Sequence, residues 1–290
     1  MKVLVLGSTG MLGSMVFNYL NNYSTFETTA TSRNNRAKAE YFNVFNFLNE
    51  PQNNKFLKKY DYIINCIGII KPYCKDDDME GVKTAIEVNS LFPHKLSEFL
   101  EDSDAKIIQI ATDCVYSGIS GKYKENDPHD ALDAYGKSKS LGEVQKSNLL
   151  NIRCSIIGPE KKSHLSLLDW FLNQPPKADL TGFAHHHWNG ITTLQFAQLC
   201  RQLIDDNLFK KLIETNYVHH YLPNQTVNKY ELLNIFTEVF KKDYRIKRVD
   251  NIGDPVDRTL ATNYDLLKPQ NKILMKTAIE SLKKYMDSNE

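Results

Sequence analysis

The sequence has no stretch that can cross a membrane as a helix. Its longest largely apolar run, Tyr62 to Ile70, falls far short of the roughly 20 residues a bilayer demands. It lacks a surplus of either charge: 36 Lys and Arg stand against 35 Asp and Glu, so no basic field draws nucleic acid or an anionic membrane. It lacks paired cysteines. The five, at positions 66, 74, 114, 154 and 200, are odd in number and show no Cys-x-x-Cys spacing, which reads as reduced thiols in a cytoplasmic protein. It lacks a signal-peptide pattern, because Gly7, Ser8 and Gly10 break the apolar start at once. It lacks a metal-ligand pattern: Asp76–Asp78 has no histidine or spaced partner, and the consecutive His185, His186 and His187 cannot all face one ion. No repeat or low-complexity tract is present.

What is present begins at residue 2. Lys2 to Leu6 is a short apolar strand, and it runs straight into Gly7-Ser-Thr-Gly10-Met-Leu-Gly13 and an amphipathic helix. In such a turn the first glycine permits the bend, and the second lets the backbone approach a pyrophosphate. The third lets helix and strand pack closely, and the helix N-terminus attracts the phosphates. Gly7, Thr9, Gly10, Met11, Leu12 and Gly13 are therefore candidate cofactor contacts. The next strand, Phe26 to Ser32, ends in Thr31-Ser-Arg-Asn-Asn-Arg36, with no acid to hold a ribose 2′-hydroxyl. Arg33 and Arg36 suit a 2′-phosphate instead, so NADP(H) is favoured over NAD(H).

Further strands are expected at Tyr41 to Phe45, Tyr62 to Ile67, Lys106 to Ala111 and Leu149 to Ile156. A polar helix, Gln52 to Tyr60, and a long helix, Met79 to about Leu100, lie between them. Pro93 should kink or split the long helix. Gly68, after Asn65-Cys66-Ile67, lets the backbone lie against a cofactor ribose. Strands alternating with helices imply a parallel sheet covered on both faces, a Rossmann-type doubly wound α/β fold, with ligands at the carboxyl ends of the strands. The second half is less regular. Residues 182–190 read as an aromatic, histidine-rich loop, followed by helices near 194–204, 229–240 and 276–285 and by strands near 217–222 and 244–249. Arg248 and Arg258 are placed where a substrate diphosphate or simple solvation would explain them.

Tyr135 and Lys139 stand four apart in Tyr-Gly-Lys-Ser-Lys, within a helix expected from Asp133 to Gln145, so they share one face. A neighbouring ammonium favours the phenolate, and a tyrosine so tuned exchanges a proton with a carbonyl or alcohol oxygen. Thr112, at the end of the strand before it, can add a hydroxyl hydrogen bond to that oxygen.

Together these motifs resemble an extended short-chain dehydrogenase/reductase, most similar to dTDP-4-dehydrorhamnose reductase and related nucleotide-sugar reductases. Thr112-Asp113-x-Val115-Tyr116-x-Gly118, Glu125-Asn-Asp-Pro128 and Tyr135-Gly-Lys-Ser-Lys-x-x-Gly-Glu143 carry the similarity. The resemblance implies a catalytic Thr112, Tyr135 and Lys139, with Asp113 near the substrate. It implies a dinucleotide-binding part, residues 1–158 rejoined by about 190–222, and a smaller substrate-binding part, 159–189 and 223–290. It also implies reduction of the 4-keto group of a nucleoside-diphospho-4-keto-6-deoxy sugar, in polysaccharide or deoxysugar biosynthesis. Cys66 stands where alanine is usual and Asn43 where an aspartate near the adenine is usual; both remain candidate cofactor contacts, with Ile67. Cys114 stands where nucleotide-sugar dehydratases carry glutamate, which argues against dehydration. GDP-fucose synthase has a cysteine there, paired with a histidine, so an epimerase-reductase using Cys114 with His185, His186 or His187 is an alternative; of the three, His187 is the candidate substrate contact. A non-catalytic regulatory subunit, like the beta subunit of methionine adenosyltransferase, is another. The two long helices offer a surface for a homodimer.

Overall fold

The computed structural model describes residues 1–34, 39–160 and 164–289. Six parallel strands follow one another along the first half: β1 Lys2–Leu6, β2 Glu27–Ser32, β3 Ala39–Tyr41, β4 Tyr62–Asn65, β5 Lys106–Thr112 and β6 Leu149–Cys154. Val218–His220 joins beside β6 to complete a seven-stranded sheet. Across the sheet the order is Val218–His220, β6, β5, β4, β1, β2, β3. It reverses between β1 and β4, which opens a crevice at the carboxyl edge.

The strands are continuously apolar because both faces are covered. Side chains alternate between faces with period two. Val3, Val5, Tyr62 and Ile64 pack against Leu12, Val16 and Leu20 and the helix Thr193–Asp205 on one side. Leu4, Leu6, Ile63 and Ile107 pack against Phe47, Phe92 and Leu96 on the other. The first of these cores runs on without a break into Leu168, Phe171, Trp188, Leu232, Phe236 and Met275.

Local chemistry shifts several of the expected elements. The strand expected at Tyr41 to Phe45 ends at Tyr41, and a helix, Val44–Asn49, begins three residues later. The cause is Asn43, which caps that helix by accepting the N–H groups of Phe45 and Asn46 at 2.9 and 3.2 Å. Pro51–Lys59 is a 3-10 helix rather than an α-helix. The long helix neither splits nor stops at Pro93. Met79–Ala85 passes through a π-helical turn, Ile86–Leu91, into Phe92–Phe99, and the wider turn absorbs the proline. The helix expected to reach Gln145 is Ala134–Leu141, capped by Asp133, which accepts the Gly136 N–H at 2.7 Å.

Residues 182–190 are not a loop. Asp179–Phe183 pairs in parallel with Arg245–Val249, and His186–Trp188 is the centre of a three-stranded sheet between Val227–Asn228 and Val256–Asp257. A helix not anticipated from the sequence, Phe209–Thr215, precedes the last strand of the main sheet. No helix among the described residues is long and apolar enough to cross a membrane.

Candidate active site

The glycine turn is held from below by a residue that sequence reasoning passed over. Gly7 sits at φ +79°, a conformation that favours glycine. Its N–H donates to the Thr31 hydroxyl at 3.2 Å, and that hydroxyl donates to the Val5 carbonyl at 3.1 Å. Ser8 closes the clamp by donating to the Thr31 carbonyl at 2.7 Å. A side chain on Gly13 would lie 2.2 Å from the Gly7 carbonyl oxygen, so helix packing itself requires glycine there.

Gly10 is different. An added Cβ would meet only the Gly7 oxygen, at an ordinary 3.5 Å, and Gly10 is exposed. The fold has no use for glycine at this position; a close-lying phosphate does. Gly10 is also the N-cap of the helix Met11–Tyr23, with no side-chain cap and no acid in the first turn. The positive helix end is thus left for an anion. Thr9 and Met11 border this opening half-buried, while Leu12 is buried in the core. These features fit a dinucleotide.

The other candidate cofactor contacts divide. Arg33 is exposed just beyond β2, and Arg36 lies outside the described residues. Asn43 has its side-chain oxygen committed to the helix cap. Cys66 continues the β1–β4 ladder by donating to the Leu6 carbonyl at 3.1 Å, and Ile67 donates to the Asn65 side chain at 3.1 Å. A Cβ on Gly7 would come 3.0 Å from the Ile67 side chain, so the glycine turn and the end of β4 are pressed together.

At the end of β5 the chain makes a 3-10 turn, Asp113–Val115, capped by Thr112, whose hydroxyl accepts the Cys114 N–H at 3.1 Å. The same hydroxyl donates to the Asp113 carboxyl at 3.3 Å and is hydrogen-bonded to the Tyr135 phenol. Burial, reinforced by Cys114 and Asp113, pushes the Tyr135 phenol up, and the Thr112 hydrogen bond opposes this. Lys139 lies one helical turn on, 7% exposed, its ammonium donating to the Ile110 carbonyl at 2.9 Å. Burial pushes this ammonium down to about 8. No carboxylate forms an ion pair with it among the described residues.

The floor of the site is set by the π-helical turn. It directs Asn89 inward, where its side chain accepts the Ile69 N–H at 2.8 Å and donates to the Ile69 carbonyl and the Ser138 hydroxyl. A Cβ on Gly68 would sit 3.4 Å from that Asn89 oxygen and 3.9 Å from the Lys139 nitrogen. The loop after β4 therefore passes directly over Lys139. The sequence places Asn89 within the long helix but gives no sign of the extra turn residue that aims it.

Cys114 makes no hydrogen bond to His185, His186 or His187 among the described residues. The thiol donates to the Asp113 carboxyl at 3.6 Å, and burial pushes it up to about 12. His186 stacks on Phe183 at 4.8 Å and its Nε2 lies 3.2 Å from the Asp254 carbonyl oxygen, while His187 is exposed.

A doubly wound sheet with this glycine turn, and a threonine, tyrosine and lysine gathered at its carboxyl edge, defines an extended short-chain dehydrogenase/reductase. Within that class the chain belongs to the family described as RmlD substrate binding domain, which matches residues 1–284. The family is one of NAD(P)-dependent oxidoreductases of nucleotide sugars. Over 250 residues the chain is 23% identical to methionine adenosyltransferase 2 subunit beta from Bos taurus, covering 82% of this chain and 72% of that protein. It is 30% identical over 144 residues to dTDP-4-dehydrorhamnose reductase from Aggregatibacter actinomycetemcomitans, covering 49% of this chain and 45% of that one. The crystal structure of dTDP-4-dehydrorhamnose reductase from Bacillus anthracis in complex with NADP has a TM-score of 0.77 at 16% identity, covering 98% of each chain.

Proposed function

We propose that the protein reduces the 4-keto group of a nucleoside-diphospho-4-keto-6-deoxy sugar with NADPH. Bound NADPH supplies hydride to the keto carbon. Gly7–Gly13 hold its pyrophosphate, Arg33 its 2′-phosphate and Lys139 its nicotinamide ribose. Thr112 and Tyr135 hydrogen-bond the C4 oxygen, and Tyr135 delivers the proton. The protonated phenol is the form a reduction needs at the outset, and a group kept above its ordinary pKa by burial is in that form at neutral pH. Lys139 carries the reading: a buried ammonium one turn from Tyr135, in no ion pair among the described residues although Glu143 favours its charge from a distance, can stabilise the phenolate that proton transfer leaves behind. The part formed by residues 159–189 and 223–290, together with Asp113 at the end of β5, supplies the sugar-nucleotide contacts.

The likeness to methionine adenosyltransferase 2 subunit beta supports a second reading, a regulatory subunit without turnover. The two readings separate in one experiment. The protein is incubated in heavy water with NADPH and a panel of nucleoside-diphospho-4-keto-6-deoxy sugars. The reductase reading expects a reduced sugar with no deuterium retained on ring carbon, a rate unchanged in Cys114→Ala, and a rate lowered at least a thousandfold in Tyr135→Phe with NADPH affinity kept. Retained deuterium that disappears in Cys114→Ala would establish an epimerase-reductase. Tight NADPH binding without any product would favour the regulatory subunit.

A further inference from the structure

Lys139 stays free of an acid although one stands close by in the chain. Glu143 follows it by four residues, the spacing at which a lysine and a glutamate meet along a helix. Burial works against the charge of Lys139. Of the groups that favour it Glu143 leads, ahead of Cys154, Cys66 and Cys114, which stand at or just beyond the ends of β6, β4 and β5. Yet Glu143 forms no ion pair with Lys139 among the described residues. The ammonium donates to the Ile110 carbonyl instead.

What holds Glu143 back is Arg153. On β6 it stands opposite Ala111 of β5, next along the strand from the carbonyl that Lys139 holds. Its Nε donates to one Glu143 carboxylate oxygen and a terminal nitrogen donates to the other, both at 2.6 Å. Both side chains are buried. A guanidinium is planar, always charged and grips a carboxylate with two bonds at once, so it outcompetes a single ammonium for those oxygens. The rest of the guanidinium is fixed by neutral acceptors. Its other terminal nitrogen donates to the Tyr116 hydroxyl at 2.6 Å, the Glu125 carbonyl at 3.2 Å and His220 Nε2. The nitrogen shared with Glu143 also donates to His129 Nε2 at 2.7 Å, and His129 Nδ1 lies 2.6 Å from the Ser140 hydroxyl. Glu143 is thus the one side-chain carboxylate that Arg153 hydrogen-bonds among the described residues. A buried ion pair contributes little stability beyond what an apolar pair of like volume gives. What it does alter is the field at Lys139. A carboxylate gripped at both oxygens is held off the ammonium and has a cancelling charge beside it.

We propose that Arg153 is a positioning residue for the reduction: it holds Glu143 at both oxygens and so leaves the Lys139 ammonium free for the nicotinamide ribose and for the phenolate of Tyr135. Without that grip Glu143 would turn to Lys139 and neutralise it. The consequence for turnover rests on the reductase reading; the state of Lys139 does not.

The test compares Arg153→Lys, Glu143→Gln and the double variant Arg153→Met/Glu143→Gln by two readouts. The first is NMR titration of isotope-labelled lysine side chains in the full-length protein without substrate, with Lys139→Met identifying the signal. The Lys139 midpoint, about 8 in wild type, should rise by roughly one pH unit or more in Arg153→Lys, where an ammonium cannot grip both oxygens, and should not rise in the other two. The second is turnover of a 4-keto sugar nucleotide with NADPH. Arg153→Lys should be slower by about tenfold or more, and the double variant should return to within about fivefold of wild type, because the freed carboxylate is gone. A merely structural role expects the double variant to be at least as impaired as Arg153→Lys. An unmoved Lys139 midpoint in Arg153→Lys, or a double variant no faster than it, overturns the proposal. If Arg153→Lys does not fold, the double variant decides. A Lys139 midpoint no higher than that of wild type, with turnover kept, supports the positioning role; a raised midpoint or lost turnover overturns it. Wild type that reduces none of the sugars counts against the reductase reading alone, since the Lys139 midpoints still judge Arg153.

Discussion

Lys139 shows most directly what the site costs the fold. Its ammonium is held below its ordinary 10.5, at about 8, because burial removes solvation that a single carbonyl does not replace. A base whose pKa is depressed on folding opposes folding wherever the unfolded chain binds the extra proton. The cost is therefore complete below about pH 8 and fades as pH rises toward 10.5. At 1.36 kcal/mol per pKa unit the full cost is roughly 3 kcal/mol. Lys139→Met, measured by denaturant unfolding without cofactor, should be more stable than wild type at pH 7 by about 2 kcal/mol, allowing for the lost hydrogen bond to Ile110. The gain should shrink steadily between pH 8 and pH 10. A variant no more stable than wild type at pH 7 would mean that the ammonium is already solvated in the folded chain. Cys114 stands opposite in kind: with its thiol pushed up to about 12 and donating to Asp113, it holds its proton at neutral pH.

The elements that place these residues differ in how plainly the sequence announces them. Strand, glycine turn and helix were legible because each glycine in Gly7, Gly10 and Gly13 has a separate physical reason and the apolar runs are short and bounded. The Tyr135–Lys139 pair was legible because helical spacing is a local rule. The π-helical turn at Ile86–Leu91 was not, since Pro93 signals a disturbance without saying whether the helix breaks or widens. The strand at His186–Trp188 was hidden because its partners, Val227–Asn228 and Val256–Asp257, lie far along the chain and no local pattern names them. Thr31 was missed because its role is a hydroxyl clamp across strands, invisible to periodicity. The glycines themselves give a sharp contrast. Gly10→Ala should fold with a thermal midpoint close to wild type yet bind NADPH at least tenfold more weakly, because only the ligand needs the space. Gly13→Ala should lose about 1–3 kcal/mol of stability, because its Cβ would meet the Gly7 carbonyl at 2.2 Å. If Gly10→Ala proved the less stable of the two, the turn would be serving the fold rather than a phosphate.

At the scale of the whole molecule, the dinucleotide sheet and the C-terminal segment are joined through a buried polar network as well as the shared core. Glu125, 5% exposed, accepts the His220 N–H at 3.1 Å, the Thr262 hydroxyl at 2.6 Å and the Asn263 N–H at 2.8 Å. One carboxylate thus ties the last strand of the sheet to residues 262–263. His220 completes the tie. Its Nδ1 lies 2.6 Å from the Ala261 carbonyl oxygen and must carry the proton, so Nε2 accepts from Arg153 at 3.1 Å. A second proton on the ring would face the Arg153 guanidinium. Burial, with Arg153 adding to it and Glu125 opposing, accordingly pulls His220 down to about 4. For Glu125, burial acts to raise the carboxyl, but His220, Thr262 and Asn263 outweigh it and hold it below its ordinary value. The two signs act together. The unfolded chain takes up a proton on the histidine below about pH 6.5 while the folded chain resists to about 4, and the carboxyl then loses its contribution as pH falls further. Stability should therefore begin to fall near pH 6.5, well before most carboxylates titrate. His220→Asn should flatten that first part of the curve while lowering stability at pH 7, since the contacts to Ala261 and Arg153 are lost. Proteolysis at pH 5 should nick wild type first near residues 261–263, where the tie is released. A wild-type curve that stays flat down to pH 4.5 would show that the imidazole gains its proton without displacing Arg153, and the network would then be a passive scaffold rather than the joint between the sheet and residues 261–263.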